Sequence, residues 1–284
     1  VTHDYRQIEK IDYEEKYASV VRSDTSRILL SIATTLDWKI RQFDVKLAFL
    51  NEVMNRMIYI VQSKEFEISE EKDKTCLLNL GLYGLVQSAY FWFQEIKIKM
   101  LAYGLIQSKH DEALFFDQKR SLYVTVYVDD IKVFVSINQM IDELSDYLKS
   151  KYEITDLGDV KWYLKMKITR LLHKTQKNQK DQGQNSQSDD KNDQSDEPIL
   201  LIQIKYIRDL LTRHGMKECA FVITSMTEIK LKKAFSGYKC PEKQLKQFQV
   251  LLDELMHLMI QTRSDLAYSV SRLAQFMSNS TDDH

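Results

Sequence analysis

The chain has 284 residues, 44% hydrophobic and 29% charged, enough apolar material for a substantial core in one or two domains. Its net charge of −1 excludes nucleic-acid binding by bulk charge, so any such binding needs a local basic groove. Three scattered cysteines, Cys76, Cys219 and Cys240, make neither a disulfide framework nor a zinc cluster, and no apolar run is long enough to span a membrane.

Val1 to Val21 is polar with scattered Tyr and Ile. Asp24 is placed to cap a helix whose apolar face is Ile28, Leu29, Ile32, Ala33 and Leu36. Trp38 to Val45 reads as an extended segment carrying one acid, Asp44, near its end, and taken alone that acid reads as a solvated strand end. Leu47 to Leu50 leads to a short strand, Met57 to Val61. Gly81 and Gly84 mark a tight connection before a helix capped by Ser88, with a core stripe of Ala89, Trp92, Phe93, Ile96 and Met100 and a stop at Gly104. A short strand is expected over Leu114 to Phe116.

Leu122 to Val135, LYVTVYVDDIKVFV, has the period-two alternation of a half-buried strand. Val124, Val126 and Val128 fall on one face, and Tyr123, Thr125, Tyr127 and Asp129 on the other. Closed at Asp129-Asp130, the two runs form a hairpin presenting paired carboxylates, although a bare Asp-Asp is more often a solvated turn. Met140, Ile141, Leu144 and Leu148 then recur at helical spacing, and Trp162 to Thr169 is one more apolar stretch. The order strand, helix, strand, hairpin, helix suits a split βαβ sheet with helices on one face. Lys174 to Glu197 is almost wholly polar and reads as a disordered insert. Beyond it the chain reads as mainly helical, with Ile207, Leu210 and Leu211, then Leu251, Leu255, Leu258 and Met259, then Leu266, Val270, Leu273 and Met277 as apolar faces.

Five of these segments, in order, resemble the reverse transcriptase of copia-type LTR retrotransposons. Phe43-Asp44-Val45-Lys46-Leu47-Ala48-Phe49-Leu50-Asn51 resembles the first catalytic motif, and Leu82 to Ser88 the substrate-binding turn. Tyr127-Val128-Asp129-Asp130 resembles the metal-binding hairpin. Asp156-Leu157-Gly158 with Trp162 to Ile168 resembles the primer-gripping segment, and Thr262 to Tyr268 the stretch ahead of the RNase H domain. The resemblance implies an α+β fold: a polymerase palm with a split βαβ sheet, partial fingers, and a mainly helical C-terminal thumb or connection region. The corresponding divisions are a fingers remnant over 1–37, the palm over 38–172, the insert over 173–198 and the helical region over 199–284.

It also implies chemistry. Asp44, Asp129 and Asp130 would be catalytic, and with the Val45 carbonyl they would hold two Mg²⁺ ions, for which Mn²⁺ could substitute. Phe49, Tyr83 and Gly84 would contact the nucleotide, with Phe49 excluding a 2′-hydroxyl; a core role for Phe49 stays open. Trp162, Tyr163 and Leu164 would form the primer grip. Partners would be an RNA or DNA template-primer, deoxynucleoside triphosphates, and the RNase H and integrase parts of a polyprotein. No membrane is implied, and the location would be a cytoplasmic virus-like particle or the nucleus. Carboxylates about 4 Å apart repel by roughly 1–4 kcal/mol, so a bound cation should stabilise the fold.

The family's turn glycines and prolines are replaced here by Glu52, Ser63 to Phe66, Ala89, Lys165 and Ser264. Its triphosphate-clamping fingers would precede Val1. These departures imply a truncated, partly degenerate copy, and the second reading is a catalytically inert relic that keeps the fold and binds nucleic acid weakly.

Overall fold

The structure is a computed structural model that describes residues 7, 17–51, 57–62, 74–163, 166–170, 198–220, 222–226, 231, 235 and 237–281. The expected polar insert lies outside the described residues, as do most of the N-terminal segment, Glu52, Ser63 to Phe66, Leu164 and Lys165. The fold is α+β and divides into two compact units, residues up to 160 and a second of 161–171 with 199–284. No described helix is long and apolar enough to cross a membrane.

The first unit is built on a six-stranded antiparallel sheet. Its strands are β1 (Lys39–Val45), β4 (Ile106–Gln107), β5 (Leu114–Asp117), β6 (Leu122–Tyr127), β7 (Asp130–Val135) and β8 (Ile154–Asp159), in the order β4-β5-β6-β7-β1-β8. Two further strands, β2 (Tyr59–Val61) and β3 (Thr75–Leu77), pair separately. The helices are α1 (Ser23–Thr35), α2 (Ser88–Ala102) and α3 (Gln139–Lys149). In β6 Leu122, Val124 and Val126 are each at most 1% exposed, as the period-two pattern predicts, but Thr125 on the other face is buried as well. In β7 the pattern is lost: Ile131 to Val135 are all buried, as in a strand covered on both faces.

The α2 stripe is core, with Trp92, Phe93, Ile96 and Met100 all buried and Gly104 in the left-handed region just past the helix end. Two capping expectations are corrected. Asp24 lies inside the first turn of α1, and the helix start is capped from afar by Asp111, whose Oδ2 accepts the Arg22 amide at 3.0 Å and the Thr25 hydroxyl at 2.6 Å. Ser88 is the first residue of α2, and its Oγ turns back to accept the Leu82 amide at 3.1 Å. The buried face of α1 is also rotated from the expected one, to Ser26, Leu29, Leu30 and Ala33, leaving Ile28 and Leu36 more than half exposed.

The second unit has a three-stranded sheet of β9 (Trp162–Tyr163), β10 (Met166–Arg170) and β11 (Ile199–Ile202), with β10 central. Its helices are α4 (Ile204–Arg213), α5 (Glu242–Gln261) and α6 (Ala267–Ala274). Strand β11 is an addition to the helical reading. In α5 the deeply buried residues are Leu252 and Leu258, while Leu251, Leu255 and Met259 are half-buried. Gln203, 3% exposed, joins the start of α4 to the end of α5 by accepting the Thr262 hydroxyl at 2.6 Å.

Candidate active site

The three acids meet where β1 ends beside the β6–β7 hairpin. Asp44 stands directly opposite Asp130 in the β1–β7 ladder, which puts both side chains on one face of the sheet. Asp129 is the second residue of a two-residue connection, since Tyr127 pairs with Asp130. The turn is therefore Val128-Asp129, and Asp130 already belongs to β7. The Val45 amide donates to the Asp129 carbonyl at 2.8 Å, locking the end of β1 to the turn. The Val45 side chain is itself buried.

The connection is strained. Val128 has φ 56°, the left-handed region that a β-branched side chain strongly disfavours. Two-residue hairpins use positive φ because it matches the twist of the flanking strands, and they normally place Gly or Asn there. Trp92, 1% exposed, holds the strained residue by donating its indole N–H to the Val128 carbonyl at 2.8 Å. Its ring packs edge-on against Tyr152, with centroids 5.3 Å apart.

Just beyond β1, Leu47 also has positive φ, 51°, and Ala48–Asn51 form a 3-10 turn. The Asn51 side-chain amide donates to the carbonyls of Lys46, Leu47 and Ala48 at 3.1–3.3 Å, fastening that turn. The turn presents Phe49, half-buried, against the ring of Tyr83 at a centroid distance of 4.4 Å. Gly81 permits this approach, because a Cβ there would lie 2.6 Å from the Phe49 carbonyl oxygen. Gly84 has φ 92°, so the second glycine of the turn also needs the freedom that glycine has. Gln87 behind it is 2% exposed and accepts the Gln7 amide at 2.9 Å, while its own Nε2 is buried with no partner among the described residues.

Electrostatics join these pieces. Burial pushes the Asp44 carboxyl above the ordinary range, and the charges of Asp129 and Asp130 push it further. The Tyr83 phenol is raised by burial and then by Asp129 and Asp44, partly offset by a hydrogen bond to the Ala48 backbone. Asp44, Asp129, Asp130, Phe49 and Tyr83 thus share one electrostatic environment. Trp162 and Tyr163 lie on β9 in the second unit, Trp162 46% exposed and Tyr163 buried.

Two residues of the cluster were not anticipated. Asp130 Oδ1 accepts the Gln42 amide at 2.9 Å, and Oδ2 accepts the Lys132 ammonium at 2.5 Å. Burial pushes the Lys132 amine down, opposed by Asp130. A lysine one step into an alternating strand reads as solvent-facing, so periodicity gave no warning of it.

The donor set can be tested against a divalent cation. Asp44 and Asp129 fit: they are mutually repelling carboxylates beside a strained turn, and a cation would relieve that repulsion. Asp130 is less available, with Oδ1 accepting from Gln42 and Oδ2 from Lys132, and no group of three or more His, Cys, Asp or Glu among the described residues is arranged to hold a metal. Two carboxylates suffice for an ion that also takes substrate phosphates.

The reverse transcriptase (RNA-dependent DNA polymerase) family matches residues 1–182. The chain is 30% identical over its whole length to the retrovirus-related Pol polyprotein of transposon RE2 of Arabidopsis thaliana, covering 18% of that protein. It is 29% identical to the counterpart from transposon RE1 of the same plant and 28% identical to that from transposon TNT 1-94 of Nicotiana tabacum, in each case over the whole chain. It therefore spans about a fifth of these copia-type relatives, 18% of the RE1 protein and 20% of the TNT 1-94 protein. Divalent-metal dependence goes with the family in general. The chain belongs to the reverse transcriptase (RNA-dependent DNA polymerase) family, in its copia-type retrotransposon branch.

Proposed function

We propose that this chain is the RNA-directed DNA polymerase portion of a copia-type Pol polyprotein, extending a primer on an RNA or DNA template by nucleotidyl transfer. The observation that carries this is the convergence of Asp44, Asp129 and Asp130 at one end of the inner strands β1 and β7, where burial and like charge together raise Asp44. The six-stranded sheet is the palm in this reading.

Asp44 and Asp129 hold the divalent cation, Mg²⁺ by preference with Mn²⁺ as a substitute, and the Val45 carbonyl is a further donor. When bound, two such ions activate an attacking 3′-hydroxyl and neutralise the leaving pyrophosphate. The protein's own part is positioning. Val128, held at positive φ by Trp92, fixes Asp129 against the end of β1. Phe49, seated on Tyr83, lies where a deoxyribose would rest and excludes a 2′-hydroxyl by contact. Tyr83 and Gly84 border the same nucleotide. Trp162 and Tyr163 grip the primer strand, together with Leu164. The other partners are deoxynucleoside triphosphates and the remaining parts of the polyprotein, RNase H and integrase among them.

A second reading, a catalytically inert relative that binds nucleic acid weakly, draws on the diversion of Asp130 to Lys132 and Gln42. Primer extension on a homopolymer RNA template with Mg²⁺ and then Mn²⁺, beside Asp129→Asn, separates the two. The polymerase reading expects extension that falls by about 100-fold or more in the variant. No extension by the unaltered protein, with no metal-induced rise in melting temperature, would leave the inert reading.

A further inference from the structure

The ladder register explains how Asp130 comes to be occupied. Gln42 stands opposite Lys132, two rungs along from the Asp44–Asp130 pair, with Phe43–Ile131 between them. Opposed residues share a face, and so do residues two apart on a strand, so these four polar side chains form a square on one face of the sheet. Thr125 and Tyr127 extend the same two rungs onto β6. Lys132 is only 3% exposed, and Val133, Phe134 and Val135 after it are buried. An ammonium this deep is sustained only by a carboxylate in contact with it. A surface lysine could swing into water and release Asp130, but a buried one cannot.

We propose that Lys132 is an internal counter-ion that draws Asp130 away from the metal, leaving a two-carboxylate centre of Asp44 and Asp129. The inference rests on the metal-dependent reading above. Lys132 cancels one of the three negative charges and takes an oxygen of Asp130 that would otherwise face the ion. It makes the metal-free cluster tolerable and in exchange loosens cation binding, because affinity for a hard cation follows ligand charge and count. Lys132 is thus a positioning residue. A merely structural ion pair would leave cation affinity where it is.

The test is Mn²⁺ titration of the whole chain, followed by the electron-spin-resonance signal of the free ion, for the unaltered protein and for Lys132→Met, Lys132→Gln and Asp129→Asn. Lys132→Met should bind Mn²⁺ about tenfold or more tighter. Its metal-free form should melt lower than the unaltered protein and recover on adding Mn²⁺. Adding Asp130→Asn to Lys132→Met should remove the gain. Lys132→Gln keeps a donor to Asp130 without the charge, should shift affinity the same way, and serves if the methionine variant fails to fold without metal. Equal affinity in the unaltered protein and the Lys132 variants, with binding lost in Asp129→Asn, would overturn the counter-ion role and leave the metal centre standing. No Mn²⁺ uptake by any of them would overturn the metal reading and this inference with it.

Discussion

Val128 carries the backbone strain of the hairpin turn, and Trp92 holds it in place. With φ 56°, the valine costs about 1–3 kcal/mol relative to an unstrained residue. Trp92→Phe keeps the aromatic bulk but removes the donor to the Val128 carbonyl, so it should lower stability by about 1–2 kcal/mol in chemical denaturation. Val128→Gly should raise stability by up to about 1 kcal/mol, since the strain it relieves outweighs the roughly 0.5–1 kcal/mol entropic penalty of glycine in the unfolded chain. A neutral Trp92→Phe would mean that the indole hydrogen bond is not what holds the turn. Asp129 stood out in the sequence because it interrupts an apolar run, whereas Asp44, which taken alone reads as a solvated strand end, was picked out only by the resemblance of its motif. The Trp92 contact was not legible, because a tryptophan in a helical stripe reads the same whether or not its N–H reaches a distant carbonyl. Lys132 stayed hidden for the complementary reason: the charge that makes it look exposed is neutralised by Asp130, two residues back on the same face of β7, and nothing local shows that this face is covered.

At the scale of elements, local pattern carried α3, whose apolar residues fit one period and one face, and it found the core stripe of α2 although Ile98 and Leu101 of that helix stay exposed. It misplaced the buried face of α1, because apolar residues occupy so wide an arc of that helix that two overlapping stripes both satisfy the helical period. Packing selected Ser26, Leu29, Leu30 and Ala33. The helix start shows the same limit, since the Asp111 cap comes from 89 residues away along the chain and has no local signature. That cap also accepts the Ala113 amide at 3.1 Å, so one 5%-exposed carboxylate joins α1 to the loop before β5. Asp111→Ala should cost about 1–2 kcal/mol of stability, and Asp111→Asn, which keeps one acceptor oxygen but turns an amide donor toward a donor, should recover only part of it. Amide hydrogen exchange should show the loss first at Arg22, whose amide this carboxylate accepts. Equal protection there in Asp111→Ala would show that α1 is held by packing alone.

For the whole molecule, the six-stranded sheet and all three acids lie within residues 1–160, whereas Trp162 and Tyr163 belong to the second unit with β10 and β11. The membership of β11 was beyond sequence reading: its partner β10 lies across a long polar stretch, and a four-residue apolar run cannot declare a strand over a helix. This division makes a prediction that separates folding from function. A fragment of residues 1–160 contains every strand of the large sheet, so it should unfold cooperatively on its own. It should bind Mn²⁺ with an affinity close to that of the whole chain, because Asp44, Asp129, Asp130 and Lys132 travel together. Primer extension should nevertheless be lost, since the residues proposed to grip the primer are gone. Binding of primer-template should then be weak and should fall less steeply with salt than that of the whole chain, reflecting fewer phosphate contacts. Circular dichroism, Mn²⁺ titration and a gel extension assay on the same preparation would read all of this. A fragment that folds and still extends a primer would show that Trp162 and Tyr163 are dispensable and that the smaller sheet serves another purpose. One that fails to fold would show that the large sheet needs the second unit to complete its core.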